Sequence, residues 1–255
     1  MSYKYINSLA TPENVNKFLE LVDLAGGSGK DAQNAFDLAD KLRTGLQMQL
    51  CVQSLQKDPA SAKMLEEKYV GPPYNPEAML KMPKGSLGWT LAKAWSALGY
   101  TPEFYTPHRS ASETDGDYIN FRVFKTHDIH HILTGYSLDD LGELGVISVF
   151  VGQIRFPGFL FLDLIGLLLS FFTSDKLYEQ NMEPSELNKT LGYQFRLISD
   201  GIEMGQTAKP LFPVKWEEGL ERPLEEWRQE LNIKPVREGP YSWYSNPKLR
   251  AALEI

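Results

Sequence analysis

An all-α fold in a single domain over residues 1–255 is what this sequence predicts, on three observations. Apolar residues recur three and four apart in one window after another, the spacing of helices that bury one face. No stretch sustains the alternation of a half-buried strand, and no repeat of fixed period is present. The composition, 42% hydrophobic and 23% charged over 255 residues, supplies a sizeable core and excludes the disordered and fibrous classes.

Thr11-Pro12-Glu13 opens the first helix as N-cap, first-turn proline and early acid; Val15, Phe18, Leu19 and Val22 follow at helical spacing until Gly26-Gly27 stops it. The spacing then predicts one longer helix over residues 31–56, carrying Ala35, Phe36, Leu38, Leu42, Leu46 and Leu50. Between the two, Gly26-Gly27-Ser28-Gly29-Lys30 has the look of a phosphate loop. It fails as one, because Leu24 stands where the first glycine belongs, Asp31 follows the lysine, and a helix rather than a strand precedes it. It reads as an interhelical turn. Cys51, the single cysteine, falls in an apolar run and reads as a small buried hydrophobe; no disulfide can form within the chain, so a reducing compartment is expected.

Residues 70–83, rich in proline and glycine, form a connector, after which Ser86 caps a helix carrying Trp89, Leu91, Trp95 and Leu98 and ending at Gly99. The polar run 108–117, with His108, reads as a surface loop. A helix over 117–134 ends at Gly135, and Ser137-Leu138-Asp139-Asp140 resembles a capping box starting the next. Residues 156–172 are hydrophobic nearly all round. That run is at or below the length that spans a bilayer and carries Asp163 near its middle, so a buried core helix lining an apolar tunnel is expected. A helix over 184–207 places Leu187, Leu191, Phe195, Ile198 and Ile202 on one face, and a short amphipathic helix lies within 216–233. The two apolar faces exceed what one small site needs, so a homodimer is expected.

Chemistry concentrates in Thr126-His127-Asp128-Ile129-His130-His131, answered by Glu143; three of the chain's four histidines lie there. On a helix, His127 and His131 are one turn apart, with Asp128 about 100° round from His127, so two imidazoles and a carboxylate can converge. A short turn after Gly135 makes the next helix an antiparallel neighbour and returns Glu143 towards His131, a helical hairpin closing on one cation. Two nitrogens and two carboxylates suit zinc, and also Mn or Fe(II), with Mg less expected. On spacing alone His130 could replace His131 as a ligand; otherwise it supports the ligands from beside them. The motif is not that of a zincin, which needs Glu where Asp128 stands.

The pattern His127-Asp128-x-x-His131, then eleven residues and Glu143, resembles the signature of the coenzyme Q biosynthesis protein four family. Pro83-Lys84-Gly85-Ser86-Leu87-Gly88 and the stretch from Trp216-Glu217 through Pro223-Leu224, Arg228, Glu230-Leu231 to Ile233 look like the same family, so the resemblance covers residues 80–233. Arg122 looks like the basic residue the family carries before the motif. The resemblance implies an α-helical protein with a divalent metal at His127, Asp128, His131 and Glu143, supported by His130 and Arg122. It implies oxidative decarboxylation of a prenylated aromatic head group, with other quinone-biosynthesis proteins and a membrane surface as partners. The isoprenoid or prenylquinone tail would lie along Phe156, Phe159, Leu160, Leu164 and Leu168.

A second reading, from another class, is a non-catalytic lipid-binding scaffold that presents prenylated intermediates to other enzymes, its metal structural. A phosphohydrolase of the HD type would need a further upstream histidine in register, which His108 in a loop does not supply. The net charge of −7 and the lack of a dense Lys/Arg run exclude nucleic acid as a partner. The N-terminal residues show neither a secretory signal nor a presequence pattern, so a cytoplasmic protein, peripheral on the inner face of a membrane, is expected.

Overall fold

The computed structural model describes residues 5–102, 113–173 and 190–255, apart from the side chains of Asp140 and Leu141. Among them are twelve α-helices and no strand: α1 (Pro12–Gly27), α2 (Gln33–Leu42), α3 (Leu46–Leu55), α4 (Pro59–Glu67), α5 (Pro76–Met79), α6 (Leu87–Leu98), α7 (Asp115–Thr134), α8 (Asp140–Ile154), α9 (Pro157–Thr173), α10 (Leu191–Thr207), α11 (Leu224–Leu231) and α12 (Pro247–Leu253). The all-α expectation holds. The loop expected around His108 and the helical start expected at Pro184, with Leu187, fall outside the described residues.

Helix α7 is the axis of the molecule, packed against α2, α3, α4, α6, α8 and α11. Thr114 caps it, its hydroxyl accepting from Asp117 N at 3.1 Å, so the end of the polar run 108–117 belongs to the first turn of α7 and Asp117 is buried. Ser86 caps α6 by accepting from Trp89 N at 3.2 Å, and Gly99 ends that helix in the left-handed region at φ 76°, both as expected. Leu87 and Leu91 on α6 are fully buried, each contributing about 1.5–3 kcal/mol by leaving water.

Three expectations are corrected. The single helix over 31–56 is two helices, α2 and α3, because Gly45 is extended (φ −74°, ψ 170°). Tertiary packing requires the break: Arg43 reaches Asp117 Oδ1 at 3.2 Å, and the start of α7 crosses so closely that a side chain at Gly116 would lie 2.3 Å from the Arg43 carbonyl. Helix α9 is not buried all round. Phe159, Asp163, Ile165 and Ser170 face in, while Leu164, Leu168, Phe171 and Phe172 are exposed. Asp163 turns inward to accept from Ser148 Oγ at 3.0 Å, which is how the helix carries a carboxylate in its middle. On α10 the buried face is Gln194, Leu197, Gly201 and Gly205 rather than the apolar stripe, of which Phe195 is 56% exposed. Bare glycines let α10 lie backbone to backbone on α8: a Cβ on Gly201 would be 2.4 Å from the Gly145 carbonyl, and one on Gly205 2.4 Å from that of Val149.

Candidate metal centre

The turn between α7 and α8 is strapped from outside. Gly135 ends α7 at φ 85°, where a side chain would strike Val236. Val236 N donates to Thr134 O at 2.8 Å and Ser137 N to Tyr241 O at 2.8 Å. Arg228, 2% exposed, donates from Nε to Leu133 O at 2.8 Å and from Nη2 to Ile132 O at 2.7 Å, satisfying carbonyls that the last turn of α7 leaves without helical partners. Asp139, rather than Ser137, caps α8, its Oδ1 accepting from Gly142 N at 3.3 Å. These contacts fix the turn after which α8 brings Glu143 beside His127 and His131.

His127, Asp128 and His131 offer ligand atoms all within 4.8 Å of one another. Glu143 closes the group from α8, its Oε1 3.0 Å from His127 Nε2 and its Oε2 3.2 Å from His131 Nε2. The three α7 side chains are 13, 11 and 2% exposed and Glu143 is 43% exposed, so Glu143 stands at the open side. Burial works to lower the His127 pKa, but the Glu143 and Asp128 carboxylates outweigh it and hold it up at about 10. Glu143 is held below the usual carboxylate range, its desolvation outweighed by the two imidazoles.

These atoms fit a cation. The Tyr136 carbonyl, 3.2 Å from His131 Nδ1, can only accept, so Nδ1 donates to it and Nε2 is the nitrogen that faces Glu143. His127 Nε2 is buried and, though 3.0 Å from Glu143, makes no aligned hydrogen bond among the described residues. Two imidazoles and two carboxylates are donors for zinc, manganese or ferrous iron.

His130 is not in the group. Its Nδ1 donates to Thr126 O at 2.8 Å, its ring lies against Phe150 and Trp216, and burial pushes its pKa down to about 3. Arg122, expected beside the ligands, instead pairs with Glu217 Oε1 at 2.7 Å, both side chains buried. One supporting residue escaped the sequence reading: Trp95 Nε1 donates to Asp128 Oδ2 at 2.6 Å. An indole in an apolar helical stripe gives no sign of which carboxylate it meets.

The group lies in the wall of a cavity of about 570 Å³. Phe36 of α2, Phe124 of α7, and Phe159 and Leu162 of α9 make its apolar side, and Ser28, Gly29 and Lys30 of the α1–α2 turn reach it as well. Of the five residues expected along a lipid tail, Phe159 lines this cavity. Phe156 is fully buried behind it, edge-on to Phe124 and Phe159, and Leu160 is half-buried. Leu164 and Leu168 are exposed on the outer side of α9 and do not contribute.

A family model described as coenzyme Q (ubiquinone) biosynthesis protein Coq4 matches residues 41–237. The chain belongs to the Coq4 family. The match starts well before residue 80 and so takes in α3, α4 and α5. Curated relatives of this Coq4 chain include the ubiquinone biosynthesis protein COQ4 homolog, mitochondrial, of Aedes aegypti, 26% identical over 64% of this chain and 54% of that protein. The mitochondrial COQ4 proteins of Clavispora lusitaniae and Penicillium rubens are each 27% identical, over 69% and 71% of this chain and 51% and 59% of theirs. The chain spans about half the length of the curated relatives it matches. A crystal structure of a Nostoc punctiforme PCC 73102 protein named for ubiquinone biosynthesis superposes with a TM-score of 0.70 over 87% of this chain and 98% of that one, at 23% identity, and so shares its fold. Among the described residues, no helix of this Coq4 chain is long and apolar enough to cross a membrane.

Proposed function

We propose that this chain acts in ubiquinone or related prenylquinone biosynthesis, holding a divalent cation through His127, Asp128, His131 and Glu143 and acting on a polyprenylated aromatic head group. The observation that carries the reading is the shared cavity: the ligand group and the aromatic wall of Phe36, Phe124 and Phe159 face one space, as a substrate part polar ring and part isoprenoid chain requires. Zinc is the favoured ion, with Fe, Mn or Mg as alternatives. A cation so held supplies Lewis acidity to a ring carboxylate or phenolate oxygen.

The reaction we assign is oxidative decarboxylation. The bond between ring carbon and carboxyl carbon breaks and carbon dioxide leaves. Dioxygen is the oxidant: one oxygen atom becomes the new ring hydroxyl and the other leaves as water, with two electrons and two protons supplied by an external two-electron reductant. The chain's own part is to orient and to exclude water: Phe159 stands edge-on to His127 at 5.6 Å, which keeps the imidazole face dry. The exposed apolar residues of α1 and α9, among them Phe18, Leu19, Phe171 and Phe172, are where we place contact with a membrane surface, a second copy or other quinone-biosynthesis proteins.

The test is turnover of a prenylated, carboxylated hydroxybenzoate by wild-type protein and Glu143→Ala. Loss of turnover with the fold intact is expected. No turnover by either form, with Glu143→Ala lowering only thermal stability, would leave a scaffold that presents prenylated intermediates, its metal structural; turnover unchanged in Glu143→Ala would remove Glu143 from the chemistry.

A further inference from the structure

The buried carboxylate of Asp128 is held from outside the metal-binding motif. Trp95, 2% exposed on α6, donates from its indole nitrogen to Asp128 Oδ2 at 2.6 Å, while Asp128 Oδ1 lies 3.4 Å from His127 Nδ1. An indole N–H is a donor with no lone pair to offer a cation, so it supports a ligand without competing with it. Trp95 is itself braced. The Tyr74 ring packs against it with centroids 5.8 Å apart, and the Tyr74 hydroxyl lies 3.5 Å from Glu217 Oε1. Lys125 Nζ stands 5.4 Å over the Tyr74 ring and 3.1 Å from Glu217 Oε1, beside Arg122. A buried ionic assembly thus backs the tryptophan, and the tryptophan backs the ligand.

We propose that Trp95 is a positioning residue of the metal centre: by holding Asp128 Oδ2 it would leave Oδ1 as the oxygen of Asp128 that ligates a bound cation. Arg122 and Glu217, conspicuous in the sequence yet remote from the ligands, then act on the centre through Tyr74 and Trp95. This role rests on the metal-centre reading above. Partners that orient ligating groups change metal affinity by about 10- to 100-fold when removed.

The probe is Co²⁺, titrated into metal-free protein and followed by its visible ligand-field bands. Three forms are compared: wild type, Trp95→Phe, and protein carrying benzothienylalanine at position 95, which keeps the shape of the indole and replaces its N–H by sulfur. Expected are a Co²⁺ affinity about 10- to 100-fold weaker in both substituted forms, with altered bands, and a metal-free benzothienyl form that melts lower than wild type but is fully folded at the temperature of the titration. The indole N–H resonance of Trp95 in metal-free wild type is expected far downfield, as a strong bond to a carboxylate requires. Co²⁺ binding by wild type with equal affinity and identical bands in the benzothienyl form overturns the role of Trp95 alone. A wild type that binds no Co²⁺ overturns the metal-centre reading together with it, even with the indole resonance in place.

Discussion

The guanidinium of Arg122 and the carboxylate of Glu217 meet at 2.7 Å with 1% and 0% of their side chains exposed, joining the centre of α7 to the segment after α10. Glu217 is held below the usual carboxylate range: burial opposes this, but Arg122 and Lys125 prevail. Removing Arg122 leaves buried Glu217 with Lys125 as its remaining cation, 3.1 Å away, so the cost approaches the roughly 3–5 kcal/mol of breaking a buried pair only as far as Lys125 fails to compensate. Arg122→Met is therefore expected to lower the urea midpoint, and Arg122→Met with Glu217→Leu to lose less than the two single losses added together. Additive losses would show that the pair is not coupled.

The close contact of α8 and α10 gives a second prediction. A methyl group at Gly201 would lie 2.4 Å from the Gly145 carbonyl oxygen and 2.7 Å from Ser148 Cβ, with backbone on one side that cannot yield. Gly201→Ala is expected to destabilise by about 1–3 kcal/mol or more through overpacking. Gly166→Ala on α9 is the control: its Cβ would meet only Leu144 Cδ2 at 3.7 Å, and a stabilisation of about 0.5–1 kcal/mol is expected from the smaller loss of backbone freedom. Equal behaviour of the two variants in chemical denaturation would contradict the packing.

Asp163 sets a pH dependence. It is 4% exposed, and its Oδ1 has no hydrogen-bond partner among the described residues; burial pushes its pKa up to about 8 from an ordinary 3.8. A raised carboxyl pKa means the fold prefers the protonated form. The associated stability is fully present below about pH 4, where folded and unfolded carboxyls are both protonated. It is lost as pH rises towards 8, because the unfolded chain ionises first. Asp163→Asn keeps an acceptor for Ser148 and removes the titration. Its stability relative to wild type is expected to grow between about pH 4 and 8; a difference that stays constant across that window would count against the assignment.

His130→Ala tests which histidines form the group. With Nδ1 committed to Thr126 and the ring against Phe150 and Trp216, His130 contributes packing, and its loss is expected to lower stability while leaving one bound metal per chain. His131→Ala is expected to abolish metal uptake. If His130→Ala abolishes it too, the separation of the two residues is mistaken.

The sequence made legible whatever local chemistry decides. Ser86, Gly99 and Gly135 mark helix ends through capping and the left-handed backbone, and they stand where the spacing put them. His127, Asp128 and His131 share a face because one turn separates the histidines, and the short turn at Gly135 returns Glu143. What stayed hidden depends on neighbours far along the chain. The break at Gly45 exists to let Gly116 pass Arg43, and the buried face of α10 is chosen by glycines meeting α8 rather than by its larger apolar residues. The outward turn of Leu164 and Leu168 is set by Asp163 meeting Ser148. Arg122 and Trp95 were visible as residues, but only the fold shows that one serves Glu217 and the other Asp128.

Anomalous scattering at the absorption edge of the metal found in the purified protein tests the central claim most directly. One peak per chain is predicted, about 2.0–2.2 Å from nitrogens of His127 and His131 and from single oxygens of Asp128 and Glu143. A fully occupied peak elsewhere, or no peak at this group in protein saturated with Zn²⁺, Mn²⁺ or Fe²⁺, would contradict it.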